Sequence, residues 1–267
     1  MKYLFATLAA MALIFSLGYL LARLMLKKAS PSPRKGRMLL LTILNGMAIL
    51  LLAGAAYFAV CYRADETAQA ALQGSETVSV TKIDGGYFFD GPAAEKAVVF
   101  YPGAKVECEA YAPLMLTLAE RGFDCFLADV PLNFALFGEG LADKFVSAYD
   151  YDSWLTGGHS MGGIVAAGYA RKHPESVDGV ILLASYTAAA LDAKVCSVYG
   201  SEDGCLERNV YASNRCNWPE GSSELIIEGG NHAQFGSYGV QKGDGAAAVS
   251  AEAQWAAAAD AIASLYF

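Results

Sequence analysis

Acidic residues are missing from the first 64 positions of the chain, although the 267 residues include 27 of them. Eight of the 19 lysines and arginines lie in that stretch, so the remainder from Ala64 carries 11 cations against 27 anions, a net charge of −16. A strongly acidic surface repels polyanions and indicates a soluble globular part. We therefore expect no nucleic-acid partner, and the roughly 200 remaining residues suffice for one buried core.

Histidine is scarce, with three residues in the chain, and there are only six cysteines. No cysteine–histidine group has the spacing of a zinc site, and we expect neither a metal ion nor another cofactor. Cys205 and Cys216 flank a short polar segment and could pair in an oxidising compartment. A helix between them would hold their Cα atoms too far apart for a disulfide, so the sequence leaves both states open.

Two long apolar runs lie near the start of the chain. Residues 4–26 and 38–60 are nearly uninterrupted runs, and a helix needs about 20 residues to cross the hydrocarbon layer. Residues 1–63 are therefore predicted to form a two-span transmembrane hairpin. The connector holds five lysines and arginines between residues 27 and 37. It is expected to face the cytoplasm, which predicts a multi-pass protein of the cell membrane with an extracytoplasmic domain.

Two other interpretations of this region stay open. The first run could be a cleaved signal peptide, although its basic segment is minimal and no small-residue cleavage site ends the apolar stretch. The charge bias could also fail and leave the large domain in the cytoplasm, because orientation rules have exceptions.

The rest of the chain alternates strand-like and helix-like segments. Residues 64–77 are small and polar and are predicted as a tether, and residues 78–267 are predicted as one α/β domain. An Asp-Gly turn indicates an antiparallel opening pair, and continuous apolar strands indicate a mostly parallel sheet covered by helices on both faces. Strands are predicted at residues 78–83, 86–89, 97–101, 123–130, 154–157, 180–184, 193–199 and 224–227, and helices at 109–121, 140–149, 161–172, 206–213 and 246–265.

A G-x-S-x-G motif spans residues 158–162, directly after a predicted strand and before a predicted helix. Such a sharp turn needs glycine at both ends, because side chains there would collide with the neighbouring strand and helix. The N-terminus of the following helix favours negative charge that develops beside the serine. Ser160 is therefore the predicted nucleophile, in an elbow formed with Gly158, His159 and Gly162.

A serine hydroxyl is a poor nucleophile at neutral pH and needs a base within reach. His159 adjoins the nucleophile, where its side chain should diverge from that of Ser160, and His173 ends a helix. His232 remains, on a loop just beyond the last predicted strand. By elimination, His232 is the predicted base.

The base in turn needs a carboxylate that fixes its tautomer, and with this elbow the carboxylate lies between the serine and the histidine in sequence. Asp203 follows the strand at residues 193–199 on a tight loop. We prefer it to its neighbour Glu202, which is expected to be solvated, and to Asp192, which precedes its strand.

Two backbone N–H groups are needed to stabilise an oxyanion. One is expected from Met161, the residue after the nucleophile, and the other from the loop after the strand at residues 97–101. Pro102 has no N–H group, so the second donor is expected from Gly103 or Ala104. The lipase-type His-Gly-Gly-Gly sequence is absent, which weakens the case for a true lipase.

The ordered segments FYPGAKV, GGHSMGG, YGSEDG and EGGNHAQFG resemble those of the small α/β-hydrolases related to dienelactone hydrolase. The likeness covers about residues 78–267 and leaves out the hairpin. It implies the α/β-hydrolase fold, a triad of Ser160, Asp203 and His232, and hydrolysis of an ester or similar acyl bond in a small substrate. Dienelactone hydrolase uses cysteine at the position of Ser160, so a dienelactone substrate is not expected.

Two alternatives to a hydrolase share these residues. An acyltransferase or a thioesterase could use the same triad, because only the acceptor or the leaving group changes. A non-catalytic, membrane-tethered binding module would have kept the fold without the activity. The chain has no long insertion after the strand at residues 180–184, so we expect an open site without a large lid.

Overall fold

The computed structural model describes residues 2–29, 35–92 and 94–267. These residues form two compact units, one ending at Val60 and the other beginning at Cys61. The proline-containing part of the predicted connector, residues 30–34, lies outside the described residues.

The first unit consists of the helices α1 (Lys2–Ala29) and α2 (Lys35–Ala59). Both are long and apolar enough to cross a membrane, judged by length and composition. They approach closely at Gly18, where a Cβ atom would lie 2.8 Å from the carbonyl oxygen of Thr42. Small residues permit such contacts between apolar helices. The two apolar helices predicted from the sequence are therefore present.

The second unit is built on one eight-stranded sheet with the order β1-β2-β4-β3-β5-β6-β7-β8. The strands β1 and β2 pair antiparallel at one edge, and β2 runs antiparallel to β4. All other neighbours are parallel, which confirms the mostly parallel sheet. The strands are β1 (Ser79–Ile83), β2 (Gly86–Asp90), β3 (Lys96–Tyr101), β4 (Phe123–Ala128), β5 (Ser153–His159), β6 (Gly179–Leu183), β7 (Lys194–Gly200) and β8 (Ser223–Ile227).

Helices cover both faces of this sheet, as predicted. In β3, Val98 and Phe100 join one apolar cluster while Val99 and Tyr101 join the other, because successive side chains of a strand point to opposite faces. The first cluster includes residues of α3 (Glu66–Ala71), α4 (Ala112–Ala119), α7 (Arg208–Asn214) and α8 (Ala251–Tyr266), and the second includes residues of α5 (Leu141–Ala148) and α6 (Met161–Lys172).

The segment at residues 64–77 differs from the predicted tether, because it contains the helix α3. Asp65 caps this helix by accepting a hydrogen bond from the Ala68 N–H group at 3.0 Å. The same carboxylate oxygen accepts a bond from the Ser237 hydroxyl at 2.7 Å, and Ala68 is fully buried. These contacts make the segment a packed part of the second unit, and its small polar composition did not reveal them.

The last helix also differs from its predicted bounds, because α8 begins at Ala251 and not at residue 246. Ser250 caps it by accepting a hydrogen bond from the Ala253 N–H group at 3.2 Å. The preceding alanines belong to a loop in which the Ala248 N–H group donates to the Gly229 carbonyl at 2.7 Å. Helix propensity was therefore overridden there by a contact with a distant loop.

Candidate active site

Ser160 lies on a sharp turn between β5, which ends at His159, and α6, which begins at Met161. Its backbone has φ 53° and ψ −120°, a conformation that costs a residue with a side chain on the order of 1–3 kcal/mol. The turn is held by two hydrogen bonds of the Ser160 backbone. Its N–H group donates to the Leu183 carbonyl at 2.9 Å, and its carbonyl accepts from the Ser185 hydroxyl at 2.6 Å.

The two glycines of the motif are needed for space. A Cβ atom on Gly158 would lie 2.3 Å from the carbonyl carbon of Gly162, and one on Gly162 would lie 2.1 Å from the carbonyl oxygen of Tyr101. Both contacts are with backbone atoms, which cannot move aside as a flexible side chain can. The end of β3 therefore lies directly against the start of α6, as the motif predicts.

His232 and Asp203 form a buried pair. The Nδ1 atom of His232 lies 2.9 Å from Oδ2 of Asp203, and the side chains are 3% and 0% exposed. The other carboxylate oxygen accepts from the N–H groups of Cys205 at 2.8 Å and Leu206 at 2.7 Å. Burial raises the pKa of Asp203, but the hydrogen bond and charge of His232 and the two N–H donors outweigh it, so the pKa lies below its usual range.

The other carboxylates and histidines weighed from the sequence lie elsewhere. Glu202 is exposed, and its carboxylate accepts a hydrogen bond from the Ser201 hydroxyl at 3.0 Å. Asp192 is also exposed. His173 follows the last residue of α6, about 18 Å along the helix from the elbow, and its ring stacks on Tyr169 with centroids 4.2 Å apart.

Ser160 and His232 line one cavity of about 220 Å³. The structure therefore places the predicted nucleophile and the predicted base at the same cavity. Nδ1 of that base is hydrogen-bonded to Asp203. Most of the remaining wall is apolar. It consists of Met161, Ile164, Ala184, Ser185, Tyr186, Cys205, Leu206 and Glu207.

The backbone donors predicted for an oxyanion differ in their availability. The Gly103 N–H group donates to the Tyr111 hydroxyl at 3.0 Å and is therefore occupied. Within the described part of the chain, no hydrogen bond uses the N–H group of Ala104. Met161 is the first residue of α6, where the backbone N–H group has no partner within the helix. The geometry thus favours Met161 and Ala104 over Gly103.

His159 is buried beside the candidate base, with its ring centroid 4.3 Å from that of His232. The Tyr111 hydroxyl, which accepts from the Gly103 N–H group, is also hydrogen-bonded to Nδ1 of His159 at 2.8 Å. Burial, and after it the charge of His232, lower the pKa of His159 well below its usual value of 6.5. His159 therefore stays neutral in the folded protein and fixes the loop of Gly103 next to the elbow.

We expect His159 to make the folded domain less stable in acid. The unfolded chain takes up a proton near pH 6.5 and the folded chain does not, so the free energy of unfolding falls as pH decreases below 6.5, by up to about 1.4 kcal/mol per pH unit. Urea unfolding followed by tryptophan fluorescence reports the second unit, because all three tryptophans lie there. Between pH 6.5 and 5.5 the wild type should lose about 1 kcal/mol more than His159→Gln. Equal pH slopes would refute this assignment.

In the described part of the chain, the cysteines form no disulfide and no cluster of potential ligands forms a metal site. All six cysteines, each within the described residues, are free thiols, and α7 lies between Cys205 and Cys216. Among residues 2–29, 35–92 and 94–267, no group of three or more histidines, cysteines, aspartates or glutamates could hold a metal ion.

Three residues that support the site were not identified from the sequence. They are Ser185, which holds the elbow, Tyr111, which joins Gly103 to His159, and Asp244, which accepts hydrogen bonds from the His232 loop. Their partners lie between 8 and 48 residues away along the chain. A local motif carries no signal for such contacts.

The model of the family described as the α/β-hydrolase family matches residues 97–256. The match spans more than half of the chain and includes all three candidate catalytic residues. The chain therefore belongs to the α/β-hydrolase family. No curated protein matches it significantly in sequence.

Solved structures similar to the chain share its fold at low identity. A dienelactone hydrolase from Anabaena variabilis is 14% identical over 72% of this chain and 98% of its own, with a TM-score of 0.54. An esterase from Pyrobaculum calidifontis is 16% identical over 74% and 89%, with a TM-score of 0.54. A protein described as a predicted CIB-like hydrolase, from Thermoplasma acidophilum, is 15% identical over 70% of this chain and 98% of its own, with a TM-score of 0.53. These likenesses confirm the fold.

Proposed function

We propose that this chain is a serine hydrolase that cleaves an ester or a related acyl bond through Ser160, His232 and Asp203. One observation carries the proposal. A histidine that is paired with a buried carboxylate lines the same cavity as a serine held in a strained turn at the start of a helix. This combination is the arrangement that makes a serine hydroxyl reactive at neutral pH.

The mechanism follows from the donors and acceptors of these groups. The Asp203 carboxylate can only accept, so Nδ1 of His232 carries the proton between them and Nε2 keeps a lone pair. Nε2 takes the proton of Ser160 as its oxygen attacks the carbonyl carbon. The N–H groups of Met161 and Ala104 stabilise the oxyanion. His232 then gives the proton to the leaving group, and the same steps with water as nucleophile release the acid from the acyl-enzyme.

The cavity favours a small acyl group. Its volume of about 220 Å³ is below the roughly 300–1,000 Å³ that is usual for drug-sized ligands. Met161, Ile164 and Leu206 give it apolar walls. We expect kcat/KM to be highest for short acyl chains in a series of p-nitrophenyl esters of graded length. A steady rise toward the longest chains would argue against this limit.

The proposed enzyme is anchored in the cell membrane by α1 and α2, with the hydrolase domain outside the cytoplasm. The two helices are long enough to span the bilayer, and the cations between residues 27 and 37 favour a cytoplasmic connector. Cys216 is an exposed free thiol and should react with a membrane-impermeant maleimide on intact cells. The Cys216→Ser variant identifies its share of the labelling. If Cys216 reacted only after the cells were permeabilised, the hydrolase domain would lie in the cytoplasm and the proposed orientation would be wrong.

The catalytic proposal is tested by an active-site probe on the full-length chain in detergent. A fluorophosphonate should label the native protein covalently and leave the heat-denatured protein unlabelled, because reactivity depends on the folded triad. A known serine esterase serves as the positive control. If that control reacts and the native chain does not, the enzyme assignment is wrong.

A further inference from the structure

The carboxylate of Asp244 contacts two separate loops of the site. Its Oδ1 atom accepts hydrogen bonds from the N–H groups of Gly204 at 3.0 Å and His232 at 3.2 Å. Its Oδ2 atom accepts from the Ala233 N–H group at 2.8 Å. Gly204 follows Asp203 directly, so one side chain joins the loop of the candidate acid to the loop of the candidate base.

The backbone around Asp244 is shaped for this contact. A Cβ atom on Gly245 would lie 2.0 Å from the carbonyl oxygen of Glu202, and one on Gly204 would lie 2.5 Å from the carbonyl oxygen of Gly243. The segment at residues 243–245 therefore packs backbone to backbone against the loop of Asp203. Glycine permits this close approach. The N–H group of Gly245 also donates to Oδ1 of Asp244 at 2.9 Å, which fixes the carboxylate relative to the segment at residues 243–245.

Gln254 on α8 provides a contrast, because it supports one loop only. It accepts a hydrogen bond from the N–H group of Asn231 at 3.0 Å and donates to the Asn231 carbonyl at 2.8 Å. These bonds hold the loop of His232 but do not reach the loop of Asp203. Asp244 holds both, and hydrogen bonds to a charged acceptor are roughly twice as strong as neutral ones.

We propose that Asp244 is a positioning residue that holds the loops of Asp203 and His232 together, so that the imidazole stays aligned with Ser160 for proton transfer. This inference rests on the proposed hydrolase function. Two other hydrogen bonds also link these loops close to the strand ends, from the Glu202 N–H group to the Gly230 carbonyl at 2.8 Å and from the Gly229 N–H group to the Ser201 hydroxyl at 2.8 Å. Asp244 bonds further along both loops, at Gly204, His232 and Ala233. Without its carboxylate, the segments that carry the imidazole and the Asp203 side chain can shift relative to each other. A misplacement of about 1 Å at a reacting group can cost on the order of 100-fold in rate.

The test compares Asp244→Ala with Asp260→Ala in the full-length protein. Asp260 is an exposed carboxylate with one ion pair, to Arg121 at 3.1 Å, and its removal should leave activity unchanged. With rates normalised to fluorophosphonate-titrated sites, Asp244→Ala should lower kcat about 100-fold while KM stays within about twofold. If Asp244→Ala fails to fold, Asp244→Asn, which keeps one acceptor oxygen, should lower kcat about tenfold. An effect below about twofold in the folded variant would overturn the proposal.

A double-mutant comparison separates positioning from general weakening of the domain. If Asp244 acts through the Asp203–His232 pair, its removal should cost less than about threefold in labelling rate once Asp203→Asn has already disabled that pair. An equal loss of labelling rate of about 100-fold, with and without the Asp203→Asn substitution, would overturn the inference. Failure of the wild type to react with the probe would instead refute the proposed hydrolase. The two failures are therefore distinguishable.

Discussion

Replacement of Ser160 by alanine is expected to lower kcat by about 10⁶-fold and to abolish fluorophosphonate labelling, because the nucleophile is the one group the other residues cannot replace. The fold should be unaffected, since the Ser160 backbone N–H and carbonyl, not its hydroxyl, make the hydrogen bonds that hold the turn. Ester hydrolysis by the purified full-length variant measures the loss. Retention of more than about one hundredth of the activity would contradict the assignment.

Replacement of Ser160 by glycine tests whether the backbone of the turn is strained. At φ 53° and ψ −120° a residue without a Cβ atom is relaxed, so Ser160→Gly should be inactive and yet more stable than the wild type by about 1 kcal/mol. Urea unfolding monitored by tryptophan fluorescence measures the difference. An unchanged or lower stability would show that the turn stores no strain.

Replacement of Asp203 by asparagine should lower kcat by about 10⁴-fold while the domain remains folded. The amide oxygen can still accept from the N–H groups of Cys205 and Leu206, which lie 2.8 and 2.7 Å from Oδ1. The amide nitrogen then faces Nδ1 of His232 and donates to it. This moves the imidazole proton to Nε2, where it blocks acceptance of the serine proton.

The neighbouring carboxylate supplies the matched control. Glu202 is adjacent in sequence and exposed, and its side chain contacts Ser201. Glu202→Gln removes the same charge from the same loop and should keep kcat within about twofold of the wild type. If Glu202→Gln lost activity and Asp203→Asn did not, the acid would have been assigned to the wrong residue.

Much of the fold could be predicted because its signals are local. Continuous apolar strands predicted the buried parallel sheet, and the glycines at positions 158 and 162 predicted the strand-to-helix turn that the structure contains. The three candidate catalytic residues could be chosen because the chain offers few histidines and because the order of the motif restricts the carboxylate. The structure brings Ser160 and His232 to one cavity and pairs His232 with Asp203.

The parts that escaped prediction depend on contacts between distant segments. The choice between Gly103 and Ala104 as a donor depends on the hydroxyl of Tyr111, which occupies the Gly103 N–H group. The short helix α3 depends on Asp65, which reaches Ser237 across 172 residues. Asp244 lies in a glycine-rich segment whose sequence indicates no more than a turn. Its hydrogen-bond partners, Gly204 and His232, are identified only from the structure.

The most direct test of the account is to locate the covalent adduct that a fluorophosphonate leaves on the native full-length protein. Proteolysis followed by tandem mass spectrometry should place the added mass on Ser160, and on no other hydroxyl near the cavity. An adduct on Ser185, which lines the same cavity, or on any residue outside it would contradict the assignment of Ser160 as the nucleophile activated by His232 and Asp203.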